Sequence, residues 1–178
     1  AHGQGRLELF NGMRFFDPQM NRQIFDRMMM ENGLRRALEL EELALRYQPF
    51  VDLKSGRIVG MEALVRWDHP ARGLIGPAEF ISVAEETGLI IELGEWVLRE
   101  ACRQQHAWRE KGLNDFCMSV NLSAKQFVPR NLVNMVRSVL EETGTDPSRL
   151  KLEITETGLM QDVARAQHAL LELAAMGV

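Results

Sequence analysis

The chain has 178 residues, of which 46% are hydrophobic and 26% are charged, and its formal net charge at pH 7 is −4. These values are typical of one globular domain with a sizeable core, and they exclude the global basic surface that binds DNA or RNA polymers. No apolar run approaches the ~20 residues of a membrane span, so we expect no membrane contact from these residues. Cys102 and Cys117 form no disulfide framework, which favours a cytoplasmic location, with a membrane tether outside this sequence left open.

The first 44 residues predict an entry region. Residues 1–20 contain several glycines and Pro18 around short apolar pieces, and they resemble the tail of a preceding domain or a linker. Residues 21–44 predict a linking or entry helix, running from about Met20 to Ala44, because apolar residues recur near helical spacing. We expect Gly33 to break or soften this helix. The main domain is predicted to span residues 45–178.

A tight hairpin opens that domain. Residues 46–53 predict a strand with Pro49 at an edge or irregular position, and the turn 54–57 leads into a second, antiparallel strand over 57–67. Alternation in the second strand puts Val59, Met61, Ala63, Val65 and Trp67 on one face and Gly60, Glu62, Leu64 and Arg66 on the other, so both faces are predicted to be buried.

The position of Glu62 requires an explanation. Arg66 lies four residues along the same strand, roughly 13 Å away, and is too distant to neutralise the carboxylate. Glu62 therefore predicts either a salt bridge to a basic residue of a neighbouring strand or a ligand or metal site at a strand end.

Helices and strands alternate through the rest of the chain. We predict a loop over 68–76, helices over 77–87, 92–111, 131–143 and 159–176, and strands over 116–123 and 150–156. This order is the pattern of parallel βαβ units and predicts an α/β fold.

Three strands each place an oxygen-bearing side chain near their carboxyl end: Glu62, Asn121 and Glu153. In a parallel barrel these ends meet at the mouth that holds the active site. Two carboxylates and a carboxamide suit Mg²⁺, Mn²⁺ or Ca²⁺. Two alternatives stay open, with Asn121 satisfying loop backbone groups and Glu153 forming an ion pair with Lys151 or Arg149. Arg66 is positioned to bind a phosphate or to form a rim salt bridge.

Five sequence motifs, occurring along the chain in the family's order, together resemble those of a known protein family. Glu62-Ala63-Leu64, within Gly60 to Trp67, resembles the signature of the EAL domain, the bacterial cyclic di-GMP phosphodiesterase family. The other motifs are Tyr47-Gln48-Pro49, Pro77-Ala78-Glu79-Phe80-Ile81 followed by Ala84-Glu85, Ser119-Val120-Asn121-Leu122-Ser123, and Glu153-Ile154-Thr155-Glu156. Residues 1–18 also resemble, over a short stretch, the tail of a GGDEF domain.

The resemblance implies a TIM-like (β/α) barrel with an antiparallel first strand, present here as about its first half. It implies that Glu62 is catalytic and a metal ligand with Asn121 and Glu153, and that Glu156 holds a catalytic loop in place. The implied substrate contacts are Gln48, Leu64, Arg66 and Pro77. The implied cofactors are two Mg²⁺ or Mn²⁺ ions. The family's paired aspartates, catalytic lysine and later glutamate have no counterpart among the 178 residues.

The function that the resemblance implies is hydrolysis of cyclic di-GMP to the linear dinucleotide pGpG by a metal-activated water. We expect the 178-residue chain to be inactive alone and to dimerise or otherwise self-associate, because an uncovered sheet edge recruits another chain. The alternatives are a non-catalytic cyclic di-GMP receptor and an interaction module that uses the Met28-Met29-Met30 stretch.

Overall fold

Helices and strands alternate along the chain in the predicted order. The computed structural model describes residues 18–113, 115–127, 131–154 and 163–178, and the side chains of residues 18–20 and 165 are not described. Its helices are α1 Pro18–Glu39, α2 Pro77–Thr87, α3 Ile90–Glu110, α4 Leu132–Thr143 and α5 Val163–Ala175. Its strands are β1 Leu43–Val51, β2 Ile58–His69, β3 Gly73–Ile75, β4 Cys117–Leu122 and β5 Leu150–Ile154, with short 3₁₀ turns at Ala124–Phe127 and Pro147–Arg149.

The strands form one mixed sheet in the order β1-β2-β4-β5, and β3 pairs with β2 beside this path. β1 runs antiparallel to β2, whereas β4 runs parallel to β2 and β5 parallel to β4. The predicted α/β class and the antiparallel first strand are therefore confirmed. The strands that the structure describes do not close into a barrel, since β1 and β5 are the two ends of the order.

The hydrophobic core lies between one face of the sheet and the helices α1, α2, α3 and α4. Met118 and Val120 of β4 are fully buried there. Trp67 of β2 is 1% exposed, and its ring packs edge-on against Phe80 of α2 with 5.9 Å between ring centroids. The indole Nε1 donates a 3.0 Å hydrogen bond to Glu42 Oε2, so the polar end of the buried tryptophan is satisfied.

The prediction that Gly33 breaks the first helix is wrong. α1 is continuous from Pro18 to Glu39. A Cβ at Gly33 would lie 2.9 Å from Trp67 Cη2, which is closer than van der Waals contact allows. The glycine is therefore explained by the close packing of α1 against the tryptophan ring.

The predicted end of the first helix is also wrong. The sequence pattern predicts a helix as far as Ala44, but the helix ends at Glu39 and Leu43–Leu45 belong to β1. The chain reverses at Glu41, whose φ of 57° lies in the left-handed region. The Asp68 N–H then donates to the Glu42 carbonyl, which ties the start of β1 to the end of β2.

Two predictions about β2 also need correction. The segment 68–76 is not only a loop, because β2 continues to His69 and Gly73–Ile75 pairs back onto it as β3. His69 Nδ1 accepts hydrogen bonds from the backbone N–H groups of Ala71 and Arg72, which stabilises this turn. Burial of both faces along the whole strand is wrong as well, because Val59 is 49% exposed.

Some predictions fall outside the described residues. The GGDEF-like tail lies almost entirely within residues 1–17, the end of the last predicted strand at residues 155–156, and the start of the last predicted helix at residues 159–162. Within the ranges that the structure describes, no helix is both long enough and apolar enough to cross a membrane.

Candidate active site

The central contact of the site joins β2 and β4. Asn121 Nδ2 donates a 2.8 Å hydrogen bond to Glu62 Oε1. The parallel register aligns Glu62 with Ser119, so Asn121 lies two residues further along its strand on the same sheet face. This contact is neither a salt bridge from Glu62 to a basic residue nor a bond from Asn121 to a loop backbone group. Glu62 is held by a carboxamide, and the Asn121 side chain bonds to a carboxylate.

Glu62 lies at a different point of its strand from the one predicted. It is the fifth residue of the twelve-residue β2, so it is not at the strand's end. It does lie near the end of the segment that pairs with β4, since that pairing stops at Ala63 and Val120. Beyond this point β2 stays paired with β1 and then with β3 but no longer with β4, which leaves Glu62 accessible from the carboxyl end of the parallel strands.

Glu153 is the third member of the predicted ligand set. It is aligned directly with Asn121 in the register of β4 and β5, which places both side chains on one face. Adjacent strands lie about 4.8 Å apart, so β5 lies about 10 Å from β2 with Asn121 between them. Lys151 Nζ lies 3.5 Å from Glu153 Oε1, which is the ion pair of the alternative interpretation.

The chemistry of this set is that of oxygen donors. In the part of the chain that the structure describes, no three His, Cys, Asp or Glu side chains gather closely enough to hold a metal ion. The candidate set differs from such a cluster because the asparagine supplies one of the three oxygens. The Asn121 amide nitrogen is engaged by Glu62, so its carbonyl oxygen is directed elsewhere and stays accessible in this exposed side chain.

Gln48 and Arg66 flank Glu62 on the same face. Gln48 of β1 is the register partner of Glu62 and is exposed, whereas Arg66 lies four residues beyond Glu62 on β2 and is half-buried. Arg66 Nη1 donates to the Val65 carbonyl at 2.8 Å, and the described residues provide no salt bridge to its guanidinium. The adjacent Tyr47 packs on the opposite face against Trp108, where burial and the nearby Glu100 raise its pKa above the usual range.

Leu64 and Pro77 meet at a cavity of about 280 Å³ beside β2. This cavity opens where β2 diverges from β4, between the sheet, α2 and α3, and Asn121 also lines it. The other lining residues are mainly apolar, with the exceptions Glu85, Ser123 and Gln126. The structure therefore brings Leu64, Pro77 and Asn121 together, whereas Gln48, Arg66 and Glu153 lie outside this cavity's lining.

Two residues of the site carried no assigned role in the sequence interpretation. Ser123 Oγ donates a 2.7 Å hydrogen bond to Glu85 Oε1, which connects the end of β4 to α2. Both residues belong to motifs quoted for the resemblance, so the signal was present in the sequence. Their contact spans 38 residues and depends on the packing of α2. Glu156, predicted to hold a catalytic loop, lies outside the described residues.

Comparison with known proteins identifies the family. The protein-family model described as the EAL domain matches residues 31–178. The chain belongs to the EAL domain family. Solved EAL domains have a TIM-barrel-like fold, and the mixed sheet described above corresponds to part of it.

Two curated relatives share the sequence at high identity. The chain is 46% identical over 178 residues to the bifunctional diguanylate cyclase/cyclic di-GMP phosphodiesterase MucR of Pseudomonas aeruginosa, covering all of this chain and 25% of that protein. It is 38% identical over 162 residues to the cyclic di-GMP phosphodiesterase PdeR of Escherichia coli K12, covering 91% of this chain and 24% of that protein. The chain thus spans about a quarter of the length of these relatives.

Two solved structures resemble the fold. The MucR phosphodiesterase in complex with cyclic di-GMP superimposes with a TM-score of 0.80 at 47% identity, covering 84% of this EAL chain and 61% of that chain. The EAL enzyme Bd1971 with bound cAMP and cyclic di-GMP gives a TM-score of 0.80 at 32% identity, covering 89% and 44% of the two chains.

Proposed function

We propose that this EAL chain contributes the first half of a metal-dependent site that hydrolyses cyclic di-GMP to linear pGpG. The observation that carries the proposal is the Asn121 to Glu62 hydrogen bond, with Glu153 in register beside it. Membership of the EAL family and the named activities of MucR and PdeR support the choice of substrate.

The three oxygen-bearing side chains fit a hard divalent cation such as Mg²⁺ or Mn²⁺. Glu62 keeps one carboxylate oxygen beyond its bond to Asn121, and Asn121 keeps its carbonyl oxygen. To bind a cation, Glu153 has to give up its 3.5 Å contact with the exposed Lys151. A solvated ion pair of this kind contributes little to stability, so its loss costs little. When bound, two such ions supply the Lewis acidity that activates a water and stabilise charge developing on the phosphate.

The remaining predicted residues take substrate-binding roles in this proposal. Arg66 keeps most of its guanidinium donors available and is suited to a phosphate oxygen pair. Gln48, exposed opposite Glu62, is placed to donate to the same ligand. Leu64 and Pro77 provide apolar contacts at the mouth of the 280 Å³ cavity. Glu156 is proposed to hold a catalytic loop, as the family resemblance implies.

The 178-residue chain alone is expected to turn over cyclic di-GMP slowly. The paired aspartates and the lysine implied by the resemblance are not among these residues. Correct positioning of the reacting groups can lower the activation barrier by ~7–11 kcal/mol. A site that lacks half of its residues supplies only part of this lowering. We expect activity when this chain is combined with the rest of an EAL domain.

The test uses a protein that contains these residues within a complete EAL domain. Cyclic di-GMP is incubated with Mg²⁺ or Mn²⁺, and pGpG is followed by chromatography. We expect Glu62→Ala and Asn121→Ala each to reduce turnover at least about 100-fold, since each removes a metal ligand. Glu79→Ala is the matched control, because Glu79 is exposed on α2 and pairs only with Arg72 among the described residues.

Each outcome of this test has a clear reading. Turnover near the wild-type rate in Glu62→Ala would exclude the proposed metal site. Binding of cyclic di-GMP by the unaltered protein without any pGpG formation would favour the receptor alternative over the enzyme.

A further inference from the structure

The turn that follows β4 is held by side chains at several points. Ser123 Oγ donates to Glu85 Oε1 at 2.7 Å, and the Ser123 N–H donates to Gln126 Oε1 at 2.9 Å. Lys125 Nζ donates to the Glu85 carbonyl oxygen at 2.9 Å. These bonds hold the turn together internally and tie it to the C-terminal part of α2. The first residue they fix, Ser123, lies two positions after Asn121.

Gln126 occupies a slot that fixes its carboxamide. The residue is 4% exposed, and it lies so close to Gly94 of α3 that a Cβ there would be 2.0 Å from Gln126 Nε2. This nitrogen has no hydrogen-bond partner in the described part of the chain, a condition that typically costs about 1–3 kcal/mol. The oxygen of the same carboxamide accepts a hydrogen bond from the Ser123 N–H. The orientation of the carboxamide therefore stabilises the turn although Nε2 has no partner in the described part of the chain.

Asn121 depends on this turn because its own side chain has few contacts. It is exposed, and its described hydrogen bond is the one to Glu62. The β4 and β5 pairing ends at Leu122 and Ile154, so the sheet fixes the backbone only on the amino side of Ser123. The bonds from Ser123 to Glu85 and Gln126 fix the other side.

We propose that Glu85 and Gln126 are positioning residues that hold the Ser123 turn and thereby keep the Asn121 carboxamide against Glu62. The inference rests on the proposed function, because it assigns Asn121 to the metal site. It adds a role for a carboxylate that does not itself touch the ion. Residues that orient metal ligands typically change metal affinity or activity 10–100-fold when they are removed.

The experiment compares Glu85→Ala, Glu85→Gln and Glu86→Ala in a protein with a complete EAL domain. Glutamine at position 85 keeps an oxygen that accepts from Ser123 Oγ. Glu86 is the matched control, because it is the next residue on α2 and pairs with Arg27 of α1. The readouts are the Mn²⁺ concentration for half-maximal hydrolysis, the melting temperature, and the NMR signal of the Asn121 side-chain amide.

We expect Glu85→Ala to raise the half-maximal Mn²⁺ concentration about tenfold and to shift the Asn121 amide signal. Glu85→Gln should restore both, and Glu86→Ala should leave both unchanged. Ser123→Ala should reproduce the alanine effect at position 85 by removing only the hydroxyl, so it serves if Glu85→Ala does not fold.

A lowered melting temperature in Glu85→Ala or Ser123→Ala, with an unchanged Mn²⁺ requirement and an unchanged Asn121 signal, would overturn the positioning role. Absence of hydrolysis in the unaltered protein would instead contradict the proposed function. In that case the Asn121 amide signal of metal-free protein still decides whether Glu85 positions the side chain.

Discussion

Gly33 provides a sharp test of the packing between α1 and the sheet. In an exposed helix, replacement of glycine by alanine stabilises the fold by about 1 kcal/mol. Here the added Cβ would lie 2.9 Å from Trp67 Cη2 and 3.2 Å from Cζ2, against a normal carbon contact of about 3.5–4.0 Å. Trp67 is 1% exposed and packs on Phe80, so the ring has little room to move.

Overpacking of this kind typically costs about 1–3 kcal/mol, which equals or exceeds the roughly 1 kcal/mol of helix propensity gained. We therefore expect Gly33→Ala to lower the free energy of unfolding by up to about 2 kcal/mol, or several degrees of melting temperature. The control is Asn32→Ala at the adjacent exposed position, which should stabilise α1 by about 0.5 kcal/mol.

Both variants and the unaltered chain are compared by urea unfolding followed by circular dichroism. A gain of about 1 kcal/mol in Gly33→Ala would refute the packing argument, because it would mean that Gly33 only weakens the helix.

Further predictions concern the core, the charges and the sheet edge. Trp67→Phe should destabilise the fold by about 2 kcal/mol, by leaving a cavity and an unused Glu42 acceptor, as measured by urea unfolding; an unchanged midpoint would contradict this. Burial raises the pKa of Cys102 from 9.0 to about 11, so the unfolded chain loses this proton first and stability should fall between pH 9 and 11, by about 2 kcal/mol, but not in Cys102→Ala. Hydrogen bonds from Arg99 and then Arg103 lower the pKa of Glu142, so their stabilisation is present above the unfolded pKa and lost as pH falls through the folded one. Glu142→Gln should therefore differ from the unaltered chain at pH 7 and converge with it in acid, and a difference independent of pH would argue against the ion pair. Among the strands that the structure describes, β5 pairs on one side only, and this edge should make the 178-residue chain self-associate, which a compact 20.3 kDa monomer in sedimentation would contradict.

The order of strands and helices was predictable from local patterns, because the formation of each helix or strand depends mainly on residues that are close in sequence. Alternation in β2 and β4 and the Pro77 to Gly88 signals of α2 correspond closely to the observed elements. The wrong prediction for Gly33 has the same cause. A glycine in a helical pattern is locally a weak point, and only the approach of Trp67, 34 residues away, gives it a packing role.

For the candidate site, too, the local sequence predicted the residues but not the contacts between them. Sequence alone selected Glu62, Asn121 and Glu153, because their positions on successive strands place them on one face once the sheet is parallel. It did not predict that Asn121 bonds to Glu62, since that depends on the two-residue offset between β2 and β4. Nor did it assign a role to Glu85.

By itself, then, the sequence determined the α/β class and the family, and it proposed the residues of the candidate site, because periodicity and motifs are local properties of the chain. The tertiary structure decided which side chains meet. The register between strands 59 residues apart joins Asn121 to Glu62, and the packing of α2 and α3 against the end of β4 brings Glu85 to Ser123 and Gln126 to Gly94. Such contacts depend on how separate elements are arranged in space, which no local pattern encodes.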